Sequence, residues 1–557
     1  MDTKRYILAI GLSLIVLVVY MHYFGPQPLP PEQQPVQQEQ PVQQKEQKAG
    51  APKVKPETIA KNIALAGTGR DIVVETDLVR AVVNTSGGVI TKWELKEYRE
   101  ADKAEVGVMP FFRKLFGGQK KEEEKPKKPL GNVELFTRYE GIKPEDLIAP
   151  LTLTPSNEAL AKIAAVTYQP SVDAIRLGKD KPSQTLVLTY TGPGGIAVEK
   201  KLTFHNDSYQ VGIEIATKGL DSYSLALGTD FGMSDKVSSN ASGRVGFAAR
   251  VNDKTKVEKI DSIKGAVSES GSIAWIGQED KYFTAALVTD LTTTVTAKRT
   301  TAPKEIGDLL NSELLVKDKP ESRSFTLYAG PKNFSMLKPL GKGLEELVDY
   351  GWFGILARPM FWLMTFFYSI TKNYGIAIIL LTIVVRALLF YPSLKSARAM
   401  EEMKALQPQL NALREKYKKD PQKLNAEMMK LYKEHKVNPL GGCLPMLLQL
   451  PFFVALYNVL NVSIELRQQP FLSFWIKDLS VYDPFYILPV LMGVSMVATM
   501  KMTSTTVDPQ QQKMMMFMNI AFIFLFAWLP AGLLLYITLS NVLSIVQQLY
   551  VRKMLAK

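Results

Sequence analysis

The chain has 557 residues, so three or four domains of ordinary size would fit. Its formal net charge of +13 is modest and does not by itself indicate nucleic acid as a specific ligand. The single cysteine excludes an internal disulfide, and three widely separated histidines exclude a zinc finger and argue against any other metal site. No GxxxxGK[ST] motif occurs, so the common phosphate-binding loop is absent. We expect no nucleotide hydrolysis, no cofactor and no enzymatic activity.

The N-terminus carries an apolar run from Tyr6 to Phe24, directly after Lys4 and Arg5. Its nineteen residues would form a helix of roughly 28 Å, close to the thickness of a bilayer core. The run lacks a small-residue cleavage pattern, which argues against a signal peptide. We therefore predict a membrane anchor over residues 1–24 with a cytoplasmic N-terminus.

The next segment is rich in proline and glutamine. Residues 25–50 contain six Pro and nine Gln, a composition that cannot bury a core. We predict a disordered tether over residues 25–60.

Residues 61–340 show the pattern of β-structure, with short runs of β-branched and aromatic residues between Gly- and Pro-containing turns. Strands are predicted over 72–74, 79–83, 186–190, 196–205 and 209–217, with a hairpin loop at 192–195. Many short strands and few helical stretches predict a β-sandwich. Because this domain follows the anchor, we expect it on the non-cytoplasmic side of the membrane.

The rest of the chain is dominated by apolar runs, at 351–371, 374–394, 443–462, 484–500, 514–529 and 531–549. The loop 395–437 holds eleven Lys/Arg against six Asp/Glu, so the positive-inside rule places it in the cytoplasm. Only one of the first two runs can then span. The first contains Arg358-Pro359 and many aromatic residues, so we predict an interfacial amphipathic helix in the region 341–373.

The predicted fold class is therefore a polytopic α-helical membrane protein of six spans with a large all-β domain outside the cytoplasm. Five of the spans form a core over residues 374–550. A short cytoplasmic tail, 551–557, follows the core, so both termini are predicted to be cytoplasmic.

Arg386 lies inside the run 374–394, eight residues before Leu394 and so roughly 12 Å from the cytoplasmic end of the run. A charge near the centre of a span costs on the order of 2.5–3.5 kcal/mol and is usually functional. After residue 440 the acidic residues all fall in loops, and they are Glu465, Asp478, Asp483 and Asp508. No carboxylate in the spans can neutralise Arg386, so the missing anion is expected to come with a ligand.

Four neutral polar residues of the spans could surround this arginine: Thr382, Gln449, Tyr536 and Asn541. For each one singly, a helix–helix hydrogen bond is the ordinary role. Together with Arg386 they predict a wet groove that opens to the cytoplasm. The core spans contain no Asp, Glu or His, which argues against an ion-coupled transporter and an intramembrane protease.

Residues 396–437 are predicted to form a cytoplasmic helical hairpin. Pro408 should break its first helix, and Asp420-Pro421 should open its second. Apolar residues recur at helical spacing on both helices. Six of them form a candidate docking face: Met400, Met403, Leu406, Leu413, Met428 and Leu431. The alternative is a stripe that packs against itself.

Three segments resemble the YidC/Oxa/Alb family of membrane protein insertases in its Gram-negative form. They are 437–445 (VNPLGGCLP), 505–513 (TTVDPQQQK) and 529–536 (LPAGLLLY). Arg386, followed by Tyr391-Pro392, also matches the family pattern. The resemblance implies a five-helix insertase core with a hydrophilic groove that contains Arg386. It also implies a β-supersandwich in the periplasm and a location in the bacterial inner membrane.

The implied function is the insertion and folding of nascent membrane proteins within the lipid bilayer, with or without the Sec translocon. Some family members contact ribosomes through a long basic tail, but residues 551–557 are too few for one. The alternative function is a polytopic channel or transporter with a periplasmic binding domain.

Overall fold

The computed structural model describes residues 69–100, 131–136, 147–234, 245–302, 307–317, 322–418, 420–435, 444–503, 509–527 and 529–555. The predicted anchor and tether, residues 1–60, lie outside these ranges. The described residues form two compact units, of which one ends at Pro331 and the other begins at Lys332.

The first unit is built from β-strands. They are β1 (Asp71–Glu75), β2 (Val79–Asn84), β3 (Val89–Arg99), β4 (Asn132–Phe136), β5 (Leu153–Pro155), β6 (Gln169–Pro170), β7 (Ala174–Arg176), β8 (Ser183–Thr191), β9 (Ala197–His205), β10 (Gln210–Lys218), β11 (Tyr223–Thr229), β12 (Gly246–Val251), β13 (Lys254–Lys259), β14 (Ala266–Glu279), β15 (Phe283–Thr300), β16 (Leu309–Val316) and β17 (Ser322–Pro331). A five-stranded sheet has the order β4-β3-β2-β1-β7. A twelve-stranded sheet follows the path β13-β12-β14-β15-β17-β10-β9-β8-β6, with β16, β11 and β5 branching from it.

The predicted hairpin at 192–195 is present between β8 and β9. Gly194 and Gly195 have φ values of 73° and 76°, in the left-handed region that favours glycine. Side chains along β9 alternate between the core and the surface, and Val198, Leu202 and Phe204 are buried. The period of two that predicted a strand thus places one face of β9 in the core.

The two sheets pack against each other through aromatic side chains. Trp93 of β3 donates its indole N–H to the carbonyl of Ala329 in β17 at 3.0 Å. Phe231 makes edge-to-face contacts with both Trp93 and Phe136, with ring centroids 5.9 and 6.1 Å apart. This contact between a five-stranded and a twelve-stranded sheet confirms the predicted sandwich class.

Lys200 of β9 is a charged residue that is fully buried in this core. Its Nζ donates to the carbonyls of Gly87 at 2.8 Å, Gly88 at 3.2 Å and Leu151 at 2.8 Å. The ring of Tyr168 lies 5.2 Å from the same nitrogen. Burial lowers the pKa of Lys200 to about 7. The lysine therefore ties β9 to the turn that joins β2 to β3.

The second unit is helical. Its helices are α1 (Phe334–Leu337), α2 (Gly354–Thr371), α3 (Tyr374–Leu388), α4 (Phe390–Ala405), α5 (Gln407–Lys416), α6 (Pro421–Glu434), α7 (Leu444–Val462), α8 (Ile487–Thr503), α9 (Pro509–Phe526) and α10 (Ala531–Leu555). Short 3-10 helices over Leu344–Leu347 and Gly351–Phe353 precede α2.

The apolar run 374–394 is not one continuous helix. α3 ends at Leu388, and α4 leaves it at an angle of 57°. Pro392 gives the reason, because it lacks an N–H for the carbonyl of Leu388 and its ring would clash with that carbonyl. Arg386 consequently lies in the last turn of α3, just before the bend.

α8 begins at Ile487, three residues later than the run that predicts it. Asp483 explains the start, because its carboxylate accepts hydrogen bonds from the backbone N–H groups of Phe485 at 3.0 Å and Leu488 at 2.7 Å. The same carboxylate accepts the indole N–H of Trp475 at 2.8 Å. A buried side-chain cap thus sets both the helix start and the loop before it.

The last helix extends past the last predicted span. α10 continues to Leu555, so the predicted tail 551–557 begins as a continuation of this helix. Within this described part, the residues form one uninterrupted helix of 25 residues.

Two described helical segments are long and apolar enough to cross a bilayer on their own, Gly351–Thr371 and Ala531–Val551. α3 passes the same test only together with the start of α4. The apolar parts of α7, α8 and α9 are shorter. The count of six spans and the interfacial position of 351–371 therefore stay predictions.

The hairpin consists of α4, α5 and α6. Pro408 stands at the start of α5, and the Asp420 carboxylate caps α6 by accepting the N–H of Lys423 at 3.0 Å. Met403, Leu406, Leu410 and Leu431 form one buried cluster, with Leu413, Met428 and Tyr432 packed against it. Most side chains of the candidate docking face thus pack within the hairpin itself. This arrangement agrees with the alternative prediction, in which the apolar stripe packs against itself. Met400 lies in α4, but its side chain is outside the description.

Candidate functional site: a polar cluster around Arg386

Arg386 is held by the last turn of α3, on the same side of the helix as Thr382. Its Nε is buried and has no hydrogen-bond partner among the described residues. Among the described residues, no carboxylate lies close enough to Arg386 for an electrostatic interaction. The titratable group that does interact with it is the phenol of Tyr536. A partly buried guanidinium without a counter-charge is costly to maintain, which suggests that the charge serves a ligand.

Tyr536 of α10 is the centre of the cluster. Its side chain is only 1% exposed, and it lies within interaction range of Arg386 on α3, Gln449 on α7 and Ser540 on α10. Three helices therefore converge on one phenol. The structure brings together three of the five polar residues predicted for the groove.

Thr382 is fully buried one turn before Arg386. Its Oγ1 donates to the carbonyl of Ile378 at 2.6 Å, so its proton is used within the helix. Only the oxygen lone pairs remain for a neighbouring donor such as a guanidinium or water.

Asn541 makes a helix–helix hydrogen bond. Its Nδ2 donates to Ser495 Oγ of α8 at 3.0 Å, and that hydroxyl donates to the carbonyl of Met492 at 2.7 Å. The described contact of Asn541 thus joins α10 to α8, which is the ordinary role for a polar residue in such a helix.

Two hydroxyl residues of α10 were missed by the sequence reasoning. Ser540 is 1% exposed and lies one helical turn after Tyr536, and the buried Oγ1 of Thr538 has no described partner. A spacing of four residues from Tyr536 was the available signal for Ser540.

The cluster combines one positive charge with neutral hydrogen-bonding groups. Arg386 supplies a fixed positive charge with several N–H donors, while Gln449, Tyr536 and Ser540 can both donate and accept hydrogen bonds. Such a set suits a hydrated anionic or strongly polar segment. It provides no nucleophile paired with a base among the described residues.

Comparison with known proteins places the chain among bacterial membrane proteins. Residues 366–557 match the family described as 60Kd inner membrane protein, and residues 119–363 match the family described as YidC periplasmic domain. The chain is 34% identical to the membrane protein insertase YidC of Geobacter metallireducens over 567 aligned residues, which cover 99% of each chain. It is 39% identical to the protein of the same name from Geobacter sulfurreducens, over 69% of this chain and 74% of that one.

Among solved structures, the chain is similar to an active YidC insertase whose first transmembrane domain is resolved. The sequence identity is 20% and the TM-score is 0.36, over 87% of this chain and 94% of the other.

Proposed function

This chain belongs to the YidC family of membrane protein insertases, and we propose that it admits hydrophilic segments of its substrates through the polar cluster around Arg386. The family consists of inner membrane proteins with a periplasmic domain, which corresponds to the β-rich unit here.

One observation carries the proposal: the charge of Arg386 has no described carboxylate beside it, whereas Tyr536 and Gln449 supply neutral hydrogen-bonding groups. An acidic segment of a nascent chain would complete the ion pair that the protein leaves open. Holding that segment part of the way across shortens the apolar distance still to be crossed. The substrate's apolar helix would then move into lipid, and its transfer out of water would drive the reaction without nucleotide.

The test is insertion of a short single-span protein with an acidic translocated segment into vesicles that contain only this protein. We expect the segment to become protected from external protease in the absence of nucleotide. Vesicles without protein are the control. Protection equal to that control would contradict an autonomous insertase.

Cooperation with the Sec translocon belongs to the same proposal. Vesicles that contain both complexes should insert multi-span substrates faster than the sum of vesicles with either one. Strictly additive rates would argue against the partnership.

Topology gives a separate prediction, from the basic loop 395–437 and the less basic loop after α7. In a Cys443→Ser background, Lys477→Cys should react with an impermeant maleimide in spheroplasts, whereas Lys418→Cys should react only after lysis. The side chains of Lys418 and Lys477 are both exposed on the protein surface, so a difference in labelling would report the side of the membrane rather than burial in the protein. Labelling of Lys418→Cys in intact spheroplasts would overturn the proposed orientation and make 351–371 a true span.

A further inference from the structure

The last helix makes a second set of contacts beyond the polar cluster. Gln547 of α10 donates its Nε2 proton to the carbonyl of Phe390 at 3.2 Å, directly after the bend between α3 and α4. Further along, Arg398 Nη2 of α4 lies 3.7 Å from Met554 Sδ of α10.

The spacing of these contacts defines how the two helices run. From Phe390 to Arg398 is eight residues of α4, and from Gln547 to Met554 is seven residues of α10. At about 1.5 Å per residue these are about 12 and 10 Å. The two contacts are separated by similar distances along both helices, and both helices run from the first contact to the second in the N-to-C direction. α4 and α10 therefore lie side by side and parallel for about two turns.

The contact between the helices is also packed. Ser396 of α4 is 2% exposed and Val551 of α10 is 1% exposed, and each lies between the two contact points of its helix. Each helix thus buries a side chain between its two contacts, and we call the contact between α4 and α10 the seam.

The same helix connects this seam to the groove. Tyr536, which neighbours Arg386, precedes Gln547 by eleven residues, or about 16 Å of uninterrupted α10. Arg386 itself stands four residues before Phe390, on the other side of the bend. One rigid helix therefore contacts both sides of the bend between the groove helix and the hairpin.

We propose that the segment Gln547–Leu555 is a brace that sets the direction of α4, and with it the hairpin, relative to the groove. Gln547 is its positioning residue, because its bond to Phe390 lies nearest the bend. A hairpin held in one direction keeps the entrance at Arg386 open to an arriving segment. This inference rests on the proposed function for its consequence, but the brace itself can be tested without substrate.

The first experiment measures the seam directly in the full-length protein. In a Cys443→Ser background, Arg398→Cys and Met554→Cys are joined by a short bis-maleimide. We expect Gln547→Leu to lower the yield of this crosslink, whereas Gln548→Leu, the same change one position along the helix, should not. Equal yields in the two variants would overturn the brace, whatever the insertion assay shows.

The second experiment measures insertion by the same variants at equal protein level in vesicles. Loss of one net hydrogen bond should slow insertion about five-fold for Gln547→Leu and leave Gln548→Leu unchanged. Crosslinking residues 398 and 554 in the Gln547→Leu protein should restore most of the rate, which a mere folding defect would not allow.

A slow variant that the crosslink does not rescue, or a rate equal to that of Gln548→Leu, would overturn the positioning role. Failure of the parent protein to insert any substrate would instead contradict the proposed function and leave the crosslink yield as the test of the brace.

Discussion

Replacing Arg386 with alanine should slow the insertion of substrates whose translocated segment carries Asp or Glu, by about 100-fold. At a separation of about 6 Å and an effective dielectric constant of about 20, two opposite charges attract by about 3 kcal/mol. The protein itself should stay folded and embedded, because the described structure gives Arg386 no carboxylate that would be left unpaired. The measurement is insertion of one substrate in an acidic and a neutralised version.

Other substitutions at Arg386, together with a control at Lys395, distinguish an effect of charge from an effect of packing. Arg386→Lys should keep much of the activity, since a general attraction needs a charge rather than a planar guanidinium. Arg386→Glu should be worst for the acidic substrate because like charges repel. Lys395→Ala removes a positive charge from an exposed position of α4 and is the matched control, with little effect on either substrate. Equal loss on both substrates would refute the electrostatic role and leave hydration or packing.

At pH 9 or above, where the folded amine is neutral, replacing Lys200 with methionine should destabilise the β-rich unit by about 2 kcal/mol, although the apolar stem is retained. The change leaves three buried carbonyls, those of Gly87, Gly88 and Leu151, without the donor they share. The neutral amine has two N–H groups to donate to these carbonyls, and each hydrogen bond lost costs about 1 kcal/mol or more. Hydrogen exchange of the β9 amides in the full-length protein measures the effect.

The lysine also predicts a pH dependence. Its pKa is about 7 in the folded unit against 10.5 in an unfolded chain, so unfolding takes up a proton between these values. The free energy of unfolding of the β-rich unit should therefore rise with pH above about 7, by up to about 1.4 kcal/mol per pH unit from this group. Lys200→Met should lack that contribution.

Lys201→Met is the control for both measurements. Lys201 is the next residue of β9, is partly exposed and makes an ion pair with Glu199 at 3.3 Å. Surface pairs of this kind contribute at most about 1 kcal/mol. A pH slope in Lys200→Met equal to that of Lys201→Met would contradict the assignment to the buried amine.

Local patterns were sufficient for much of this architecture. Alternation along 196–205 predicted β9, and the glycines at 194 and 195 predicted its hairpin, because both signals act between neighbouring residues. Asp420-Pro421 predicted the start of α6 for the same reason, since a side-chain cap and a fixed φ need no distant partner. The census of carboxylates likewise predicted that Arg386 would stand without an acidic neighbour.

Other features depended on contacts between residues far apart in the chain. Pro392 was visible in the sequence, but whether it bends a helix or ends it is decided by what the next segment packs against, here α10. The apolar stripe of the hairpin could face a partner or itself, and the pairing of Leu431 with Met403 and Leu410 turned it inward.

The polar residues of the helices show the same difference between what the local sequence predicts and what tertiary contacts decide. Periodicity gave Tyr536 and Asn541 the same description, as polar groups on one apolar helix. Tertiary packing set Tyr536 beside Arg386 and Asn541 beside Ser495. The rotation of a helix about its axis is determined by the summed packing of its neighbours, which no local pattern contains, so sequence determined which residues are polar and only the folded unit decided which of them meet.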